Sequence, residues 1–387
     1  MTWFKSVAHN AQYHRTSISP KSLRNSMKSY KLSFIGSGSE YFRLWIVNIA
    51  LVALTVSLYR PWAKVRTMQY FSRNTRLDEA SFDYHGDPIA IFKGQLLVLG
   101  LFMLANWNPI LAGVSGLVGL ALLPWVLQRS IGFRLRNTSY RQLRFGFDAP
   151  LKVFYGVTGV ITLGGLALGL VAALAPADPK VNFNTTAILS LSFFFALLPL
   201  IILIVVASIR FQSIPFTLWG NKRFSSRLGH KTTLALVGFI LMLVLGFAAL
   251  ILGFVFLALP HLGRGAAIAF GTVGVFAALA FLAGFKAIVS ARLHNLAWNG
   301  TRLELASFKS NLSETKYALS NVLVLILTVM TLGLYRPFGT VKLARMRAES
   351  VTVEAENLED AFAQAQSEQG SAFGQEAADW FDIDISI

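Results

Sequence analysis

Residues 48–66, NIALVALTVSLYRPWAKVR, are an apolar run that breaks at a proline and continues with widely spaced cations. A related stretch, NVLVLILTVMTLGLYRPFGTVKLAR, occupies residues 321–345 near the other end of the chain. Both break at leucine-tyrosine-arginine-proline followed by an aromatic residue. Aligned on its first asparagine, the second copy has three extra residues, which include Gly333. The pair predicts a membrane element that occurs twice, at opposite ends of one chain.

The composition of the whole chain is that of a membrane protein. Of 387 residues, 54% are hydrophobic and only 14% are charged, whereas a soluble domain carries about a quarter charged residues. Apolar residues cluster in runs near the roughly 20 residues that a spanning helix needs. We therefore predict an all-α polytopic membrane protein, with six to eight transmembrane or re-entrant helices in pseudo-repeated units and short cytoplasmic β-hairpins. The runs are 41–59, 89–105, 110–127, 153–175, 185–209, 232–259, 265–289 and 318–335.

The longer connections between the runs share a strand-like pattern. Each begins with Asn and a small or cationic neighbour, then alternates apolar and polar residues up to a Phe. This alternation after a turn favours short β-hairpins. Because strand backbone cannot face lipid unpaired, we expect the hairpins at the cytoplasmic surface. The copies are 74–84, 137–147, 299–308 and a weaker one at 221–224.

Basic residues set the expected orientation. Lys and Arg concentrate in the connections 129–152 and 210–231, which the positive-inside rule assigns to the cytoplasm. The tips near Asn108, Asp178 and His261 have few cations nearby and are predicted to face outward. The first and last runs have cations on both flanks, so they either cross the membrane or return on the cytoplasmic side.

Charge also divides the chain into three parts. Residues 1–30 contain no acid and are expected to be a basic, disordered cytoplasmic arm. Residues 31–347 are the predicted membrane domain with internal repeats, and residues 348–387 are an acidic tail without Lys or Arg. The cationic excess before the tail favours anionic lipid headgroups as partners. Nucleic acid is not expected, because no basic run alternates with aromatic residues as in a binding module.

Five motifs, in order, make the chain resemble the YjgN-like inner-membrane proteins of bacteria. The resemblance covers residues 31–347 and implies a multi-pass protein of the bacterial inner membrane. It implies no activity, because the family is one of unknown function. The first break departs from the family's Thr-Leu-Gly-Ile-Tyr form, because residues 55–59 are Thr-Val-Ser-Leu-Tyr, whereas residues 331–335, Thr-Leu-Gly-Leu-Tyr, keep it more nearly. The motifs are FIGSGSEYF at 34–42, LYRPWAKVR at 58–66, YFSRNTRL at 70–77, FDYHGDP at 82–88 and NTSYRQLRFGF at 137–147.

Polar residues inside the two repeated runs are the candidates for a ligand site or polar path. Asn48 is followed seven residues later by Thr55, and Asn321 by Thr328. Seven residues make two helical turns, so each pair lies on one helix face. These side chains are candidates for interhelical hydrogen bonds or for lining a polar path where a helix is broken. No Asp or Glu lies within the eight runs, which argues against ion-coupled transport.

Arg60 and Arg336 follow the two apolar runs and directly precede proline. We expect this position to lie at the depth of headgroup phosphates, and the guanidinium fork binds phosphate with two hydrogen bonds. The prediction is a lipid-phosphate or anion contact at each arginine, with ordinary interfacial anchoring as the alternative.

The sequence contains no catalytic or cofactor motif. It has no Walker loop, no His-Glu-x-x-His, no Gly-x-Ser-x-Gly and no Cys. Asp83, His85 and Asp87 are close together, but the Gly and Pro beside them favour a polar hairpin turn over a metal site. We therefore expect no enzyme activity, no cofactor and no metal.

Two functions remain open at this point. The first is a passive or facilitative transporter or channel-like protein for a small solute, supported by the related broken elements at opposite ends of the chain. The alternative is a non-transporting scaffold or lipid-organising protein, supported by the acid-free runs and the cationic inner face. The sequence indicates neither the solute nor the oligomeric state.

Overall fold

The structure, a computed structural model, describes residues 28–156, 158–159, 208–209, 211–220, 222–228, 283–304 and 306–356. Most of the predicted runs 153–175, 185–209, 232–259 and 265–289 lies outside these residues, as do the tips near Asp178 and His261. The same holds for most of the arm 1–30 and of the tail 348–387.

Ten short antiparallel strands close into one barrel in the order β1-β10-β9-β8-β7-β6-β5-β4-β3-β2. The predicted all-α class is therefore wrong. Strands of three to seven residues are shorter than the roughly 9–11 residues that a membrane-crossing strand needs. The strands are β1 Lys28–Phe34, β2 Thr75–Leu77, β3 Ala80–Tyr84, β4 Thr138–Tyr140, β5 Leu143–Phe147, β6 Thr217–Trp219, β7 Lys222–Ser226, β8 Thr301–Leu303, β9 Ala306–Ser310 and β10 Val351–Ala355.

Four of the strand pairs are tight hairpins, and three of them are those that the alternating pattern predicts at 74–84, 137–147 and 299–308. In the fourth, the first strand, Thr217–Trp219, precedes the predicted stretch 221–224. Each of the four hairpins joins a three-residue strand to a five-residue strand through a tight turn. Arg141 and Gln142 both have positive φ, 49° and 65°, which is the backbone of the two-residue turns that match strand twist. Asp78 and Gly220 take the same left-handed backbone in two other turns.

Closure depends on the two ends of the chain. Strand β1 pairs with β10 on one side and with β2 on the other, so the first and last strands complete the barrel. Hydrophobic periodicity within a run carries no information on such a pairing, which explains why the sequence predicted separate hairpins.

Six helices with defined ends lie outside the barrel, and residues 283–300 are also helical. Side-chain caps mark the starts of four of the six: for example, Ser37 and Glu40 form a capping box, and Asp87 accepts from two backbone N–H groups. Such caps satisfy the N–H groups that the first turn leaves unpaired. The helices are α1 Gly38–Leu54, α2 Arg60–Arg73, α3 Pro88–Ala105, α4 Pro109–Arg136, α5 Glu314–Met330 and α6 Arg336–Glu349.

The six helices form three helical hairpins, α1–α2, α3–α4 and α5–α6, and each hairpin begins and ends at the same end of the barrel. Phe34, before α1, is paired with Thr75, after α2. Tyr84 and Thr138 enclose α3 and α4 in the same way, and the last strands β9 and β10 enclose α5 and α6. The described helical hairpins therefore extend from one end of the barrel, and the tight strand turns lie at the other end.

The barrel interior is a packed core. The rings of Phe145 and Phe224 have centroids 6.4 Å apart, and those of Phe224 and Phe308 are 6.0 Å apart. Tyr140 contacts two further rings and donates its hydroxyl to the Leu77 carbonyl at 2.9 Å. Every strand contributes to this core. The odd-numbered strands contribute Leu32, Phe82, Phe145, Phe224 and Phe308, and the even-numbered strands contribute Leu77, Tyr140, Trp219, Leu303 and Val353.

Among the described residues, two helices are long and apolar enough to cross a membrane, Pro88–Ala105 and Ile110–Arg136. Helices α1 and α5, which lie largely within the predicted runs 41–59 and 318–335, are not among them. Both α1 and α5 have 17 residues, a length of about 25 Å, and each is followed by a turn and a cationic helix.

Candidate functional site

The turns that follow α1 and α5 are built alike. Thr55 Oγ1 donates to the Leu51 carbonyl at 2.7 Å and accepts from the Tyr59 N–H at 3.0 Å. In the second copy Thr331, not Thr328, makes the equivalent bonds, to the Leu327 carbonyl at 2.6 Å and from the Tyr335 N–H at 2.9 Å. Thr331 is therefore the structural counterpart of Thr55.

This match corrects the alignment drawn from the sequence. Helices α1 and α5 both have 17 residues, and α2 and α6 both have 14, so the second copy contains no extra residues. In this register Asn48 matches Val324, and Asn321 matches Trp45. The two asparagines are not equivalent, and the spacing to threonine that suggested they were is coincidental.

Both turns use left-handed backbone at two successive residues. Val56 and Ser57 have φ of 49° and 72°, and Leu332 and Gly333 have 49° and 96°. Only glycine adopts this region without steric cost. Ser57 nevertheless adopts the same backbone as Gly333, so the departure from the family's form does not change the shape of the turn.

The first and last helical hairpins, α1–α2 and α5–α6, are here called the two end hairpins, and they pack against each other through α1 and α6. The rings of Phe42 and Phe338 are stacked with centroids 5.5 Å apart. Gly38 lies against Phe338, where a larger residue would collide with the ring. Arg345 donates to the Gly36 carbonyl at 2.8 Å at the base of the pair. This packing brings the start of α6 beside the start of α2.

A hydroxyl ties the base of the first hairpin together. Tyr70, near the end of α2, donates to the Ser37 carbonyl at 2.7 Å. Burial and the neighbouring Glu40 carboxylate raise the pKa of Tyr70 to about 12, against a smaller opposing effect of Arg345. The phenol therefore stays protonated, and remains a donor, throughout the physiological range.

Arg60 and Arg336 line one cavity of about 530 Å³ between α1, α2 and α6, here called the Arg60–Arg336 cavity. Among the described residues, its lining contains three cations and no acid, and the cationic side chains are exposed near the start of α2 and α6. The lining residues are Trp45, Asn48, Ile49, Val52, Arg60, Ala63, Lys64, Thr67, Met68 and Arg336.

Asn48 is the buried polar residue of this cavity. It is 6% exposed, and its Oδ1 is enclosed without a hydrogen-bond partner. An unsatisfied buried acceptor costs about 1–3 kcal/mol. Asn321 instead donates to the Tyr317 carbonyl of its own helix at 3.0 Å. Among the described residues, neither asparagine forms the interhelical hydrogen bond that was one of the two sequence interpretations.

The cavity contains three of the six predicted residues, Asn48, Arg60 and Arg336. Thr55 and Thr328 bond locally to backbone. Sequence reasoning missed Lys64, although its spacing of four from Arg60 puts both on one helix face. Lys64 also lines a second cavity of about 380 Å³ towards α3 and α4.

The three side chains near the β3 end have separate partners. Asp83 pairs with Arg73, His85 Nε2 lies 2.9 Å from Ser139 Oγ, and Asp87 caps α3. Burial opposes ionisation of Asp83, but bonds from Arg73 and from the Tyr84 N–H outweigh it, so the pKa of Asp83 lies below its usual value. The carboxylate is therefore held as part of the strand–helix junction.

The described residues define a class of structure: a small packed barrel with helical hairpins on one end, two of whose helices are long and apolar enough to cross a membrane. The location in the inner membrane is supported by the names of relatives. The chain belongs to the bacterial protein family of unknown function DUF898, which matches residues 29–380. This confirms the resemblance read from the motifs.

Named relatives come from two bacterial species. Inner membrane protein YjgN of Salmonella typhimurium is 26% identical over 360 residues, covering 85% of this chain and 89% of the relative. Inner membrane protein YjgN of Escherichia coli K12 is 28% identical over 174 residues, 42% of each chain. The protein of the same name from Escherichia coli O157:H7 is 24% identical over 168 residues, also 42% of each. No solved structure matches the chain.

Proposed function

We propose that this inner-membrane protein binds the phosphate of an anionic phospholipid headgroup in the Arg60–Arg336 cavity and acts as a lipid-organising scaffold. One observation carries the proposal: arginines from opposite ends of the chain converge on a single cavity, and no described residue that lines it is acidic. Like charges held together without a counter-charge repel each other, so an anionic ligand offsets a cost that the protein alone does not.

The chemistry of the lining suits a phosphate that is linked to a hydrogen-bond donor. Arg60 and Arg336 supply planar forks for phosphate oxygens, and Lys64 adds a third positive charge. Asn48 has an acceptor without a partner. A headgroup hydroxyl or ammonium is the donor that such an acceptor needs.

We further propose a multi-pass topology in which α3 and α4 cross the membrane as a hairpin with the tip near Asn108 outside. Their apolar lengths support it, as do Arg129, Arg134 and Arg136 at the barrel end of α4, by the positive-inside rule. The barrel then lies in the cytoplasm. Four strand hairpins of matching lengths support an internal repeat of strand hairpin and helical hairpin.

A passive transporter for a small solute is the second candidate. Its support is Asn48, since a buried unpaired amide is the kind of group that lines a polar path. The barrel is packed with aromatic side chains, so such a path would run between helices rather than along the barrel axis. We propose neither an enzyme activity nor a nucleic-acid partner.

The lipid proposal is tested with the double variant Arg60→Gln/Arg336→Gln. A matched control is Arg76→Gln/Arg302→Gln, which removes the same charge from exposed positions on β2 and β8. Affinity for phosphatidylglycerol is measured on purified protein by native mass spectrometry, with phosphatidylcholine and inorganic phosphate as comparison ligands. Hydrogen bonds to charged groups contribute about 1.5–3 kcal/mol, so the cavity variant should lose about tenfold or more in affinity.

Equal retention of phosphatidylglycerol by the cavity variant and its control would refute the lipid proposal. Binding of inorganic phosphate as tight as that of the lipid would identify a soluble anion as the ligand. Uptake of a solute into reconstituted vesicles that is lost in Asn48→Leu, with lipid affinity unchanged, would favour the transporter instead.

A further inference from the structure

The two end hairpins carry exposed apolar tips. At the first tip Leu54, Val56 and Leu58 are exposed, with Val56 at 85%. At the second, Leu332 is 95% exposed between Met330 and Leu334, which are exposed as well. Large apolar side chains at full exposure are unusual on a surface that faces water, and here they occur at the same position of both copies.

A hydrogen bond fixes the level of the first tip relative to a candidate span. Gln95 Nε2, on α3, donates to the Ser57 carbonyl at 3.3 Å. The rings of Trp62 and Phe92 lie 5.7 Å apart one step nearer the barrel. Helix α3 continues from Gln95 to Ala105, a further rise of about 15 Å. The first tip therefore stops well short of the far end of α3.

Cations directly follow both tips. Arg60 and Arg336 are the first residues of α2 and α6, and Lys64 comes one turn later on α2. Ionisable groups are costly in hydrocarbon unless they reach the interface. Helix α2 therefore cannot lie deep in the bilayer, while the tip above it has no polar side chain apart from Thr55 and Ser57.

We propose that the two tips insert side by side into the acyl layer of a single leaflet, the one nearest the barrel. The partner is the lipid monolayer itself: acyl chains cover the tips, and the headgroup region surrounds the first turns of α2 and α6. Packing of α1 against α6, with Phe42 stacked on Phe338, holds the two hairpins side by side. The apolar surface of α3, adjacent to the first tip at Gln95, continues the same lipid-facing region.

This inference does not rest on the phosphate site. Tip depth depends on the apolar residues and on the length of α1 and α5, whereas phosphate affinity depends on the arginines. The two therefore fail separately: a correct depth with no preference for anionic lipid removes only the proposed function.

The test uses single cysteines in a chain that has none of its own. Val56→Cys and Leu332→Cys place a spin label on each exposed tip. Trp107→Cys marks the far tip of the α3–α4 hairpin, and Glu79→Cys marks a strand turn; both positions are exposed. Labelled full-length protein is reconstituted into phosphatidylethanolamine–phosphatidylglycerol vesicles, and collision with oxygen and with a water-soluble nickel chelate is measured.

Labels at positions 56 and 332 should collide with oxygen and be protected from nickel at a similar, shallow hydrocarbon depth. Label 79 should be accessible to nickel. In intact cells an impermeant maleimide should modify position 107 and neither 56 nor 332. Modification of 56 or 332 from outside would mean that the hairpin crosses the bilayer. Nickel access equal to that of label 79 would mean that the tips lie in water; either result overturns the proposal.

Discussion

Inside the barrel, Tyr140 lies against Phe82 and Trp219 and bonds the Leu77 carbonyl, so that its ring and its hydroxyl are both satisfied. In the Arg60–Arg336 cavity, the amide oxygen of Asn48 is buried without a partner and cations face open volume. Packed, satisfied groups hold a fold together, whereas a buried polar group without a partner costs stability and needs an explanation, for which a ligand is one candidate. The comparison predicts that stability depends mainly on the barrel, and it supports the binding proposed for the end hairpins.

The largest effect is expected from Tyr140→Ala. Tyr140 is 3% exposed, and truncating a buried aromatic residue costs about 3–5 kcal/mol. The free energy of unfolding is measured by denaturant titration in detergent. Lipid affinity of the protein that remains folded should be unchanged, because the barrel core does not touch the cavity.

Tyr140→Phe is the control, since it removes only the hydrogen bond to Leu77 and should cost about 0.5–1.5 kcal/mol. A loss of lipid affinity in folded Tyr140→Phe protein would break the separation between the barrel and the cavity.

A medium effect is expected from Gly339→Ala, a change on α6. A methyl group on Gly339 would run into Val324, and overpacking costs about 1–3 kcal/mol. Because the methyl pushes α5 away from α6, phosphatidylglycerol affinity should fall as well. Gly100→Ala, where a Cβ meets nothing within 4 Å, should instead stabilise α3 by about 0.5–1 kcal/mol. Equal melting temperatures for the two variants would contradict the packing.

A smaller effect distinguishes the two threonines of the second copy. Thr331→Val removes the acceptor for the Tyr335 N–H and should destabilise the protein by about 1 kcal/mol. Thr328 bonds only along its own helix through its side chain, so Thr328→Val should be nearly neutral. The difference is read from thermal melting of the two variants side by side; the reverse order would restore the sequence alignment of Thr328 with Thr55.

The smallest effect on stability is expected from Asn48→Leu. Replacing an unpaired buried amide by an apolar group of similar size is neutral or stabilising, so the melting temperature should stay the same or rise slightly, while phosphatidylglycerol affinity falls. Asn321→Leu is the matched control, because Asn321 bonds to its own helix outside the cavity. A large drop in melting temperature with normal lipid affinity would make Asn48 a packing residue.

Local patterns predicted the strand hairpins and the broken end elements, because alternation and the Arg-Pro break are visible within a few residues. They did not predict the barrel. Strand β10 lies within residues that the sequence assigned to the acidic tail, and its partners are β9 and, from the opposite end of the chain, β1. Two five-residue stretches, Val351–Ala355 and Ala306–Ser310, are too short to indicate closure by composition alone.

Sequence patterns indicated only part of the cavity lining, for the same reason. Arg60 and Arg336 were recognisable from their place before proline, but their meeting in one cavity depends on the stacking of Phe42 on Phe338. Asn321 and Thr328 were predicted as site residues because the two copies were aligned on their asparagines rather than on their turns. The threonine directly before the left-handed turn, Thr55 or Thr331, gives the correct register.

The central claim is that the strands form a closed barrel, and that the described helical hairpins extend from one end of it. Opposed residues of antiparallel strands have Cα atoms about 4.5–5.5 Å apart, within disulfide range. In the cysteine-free chain, Ser29→Cys/Glu354→Cys joins β1 to β10, and Ser33→Cys/Arg76→Cys joins β1 to β2. Ser33→Cys/Glu354→Cys, displaced by four residues along β1, is the control.

Mild oxidation in membranes, followed by mass spectrometry of linked peptides, measures the three yields. The account predicts high yields for both paired variants and little linkage in the displaced control. A linked Ser33/Arg76 pair without a linked Ser29/Glu354 pair, or equal yields in all three, would contradict a barrel closed by the two ends of the chain.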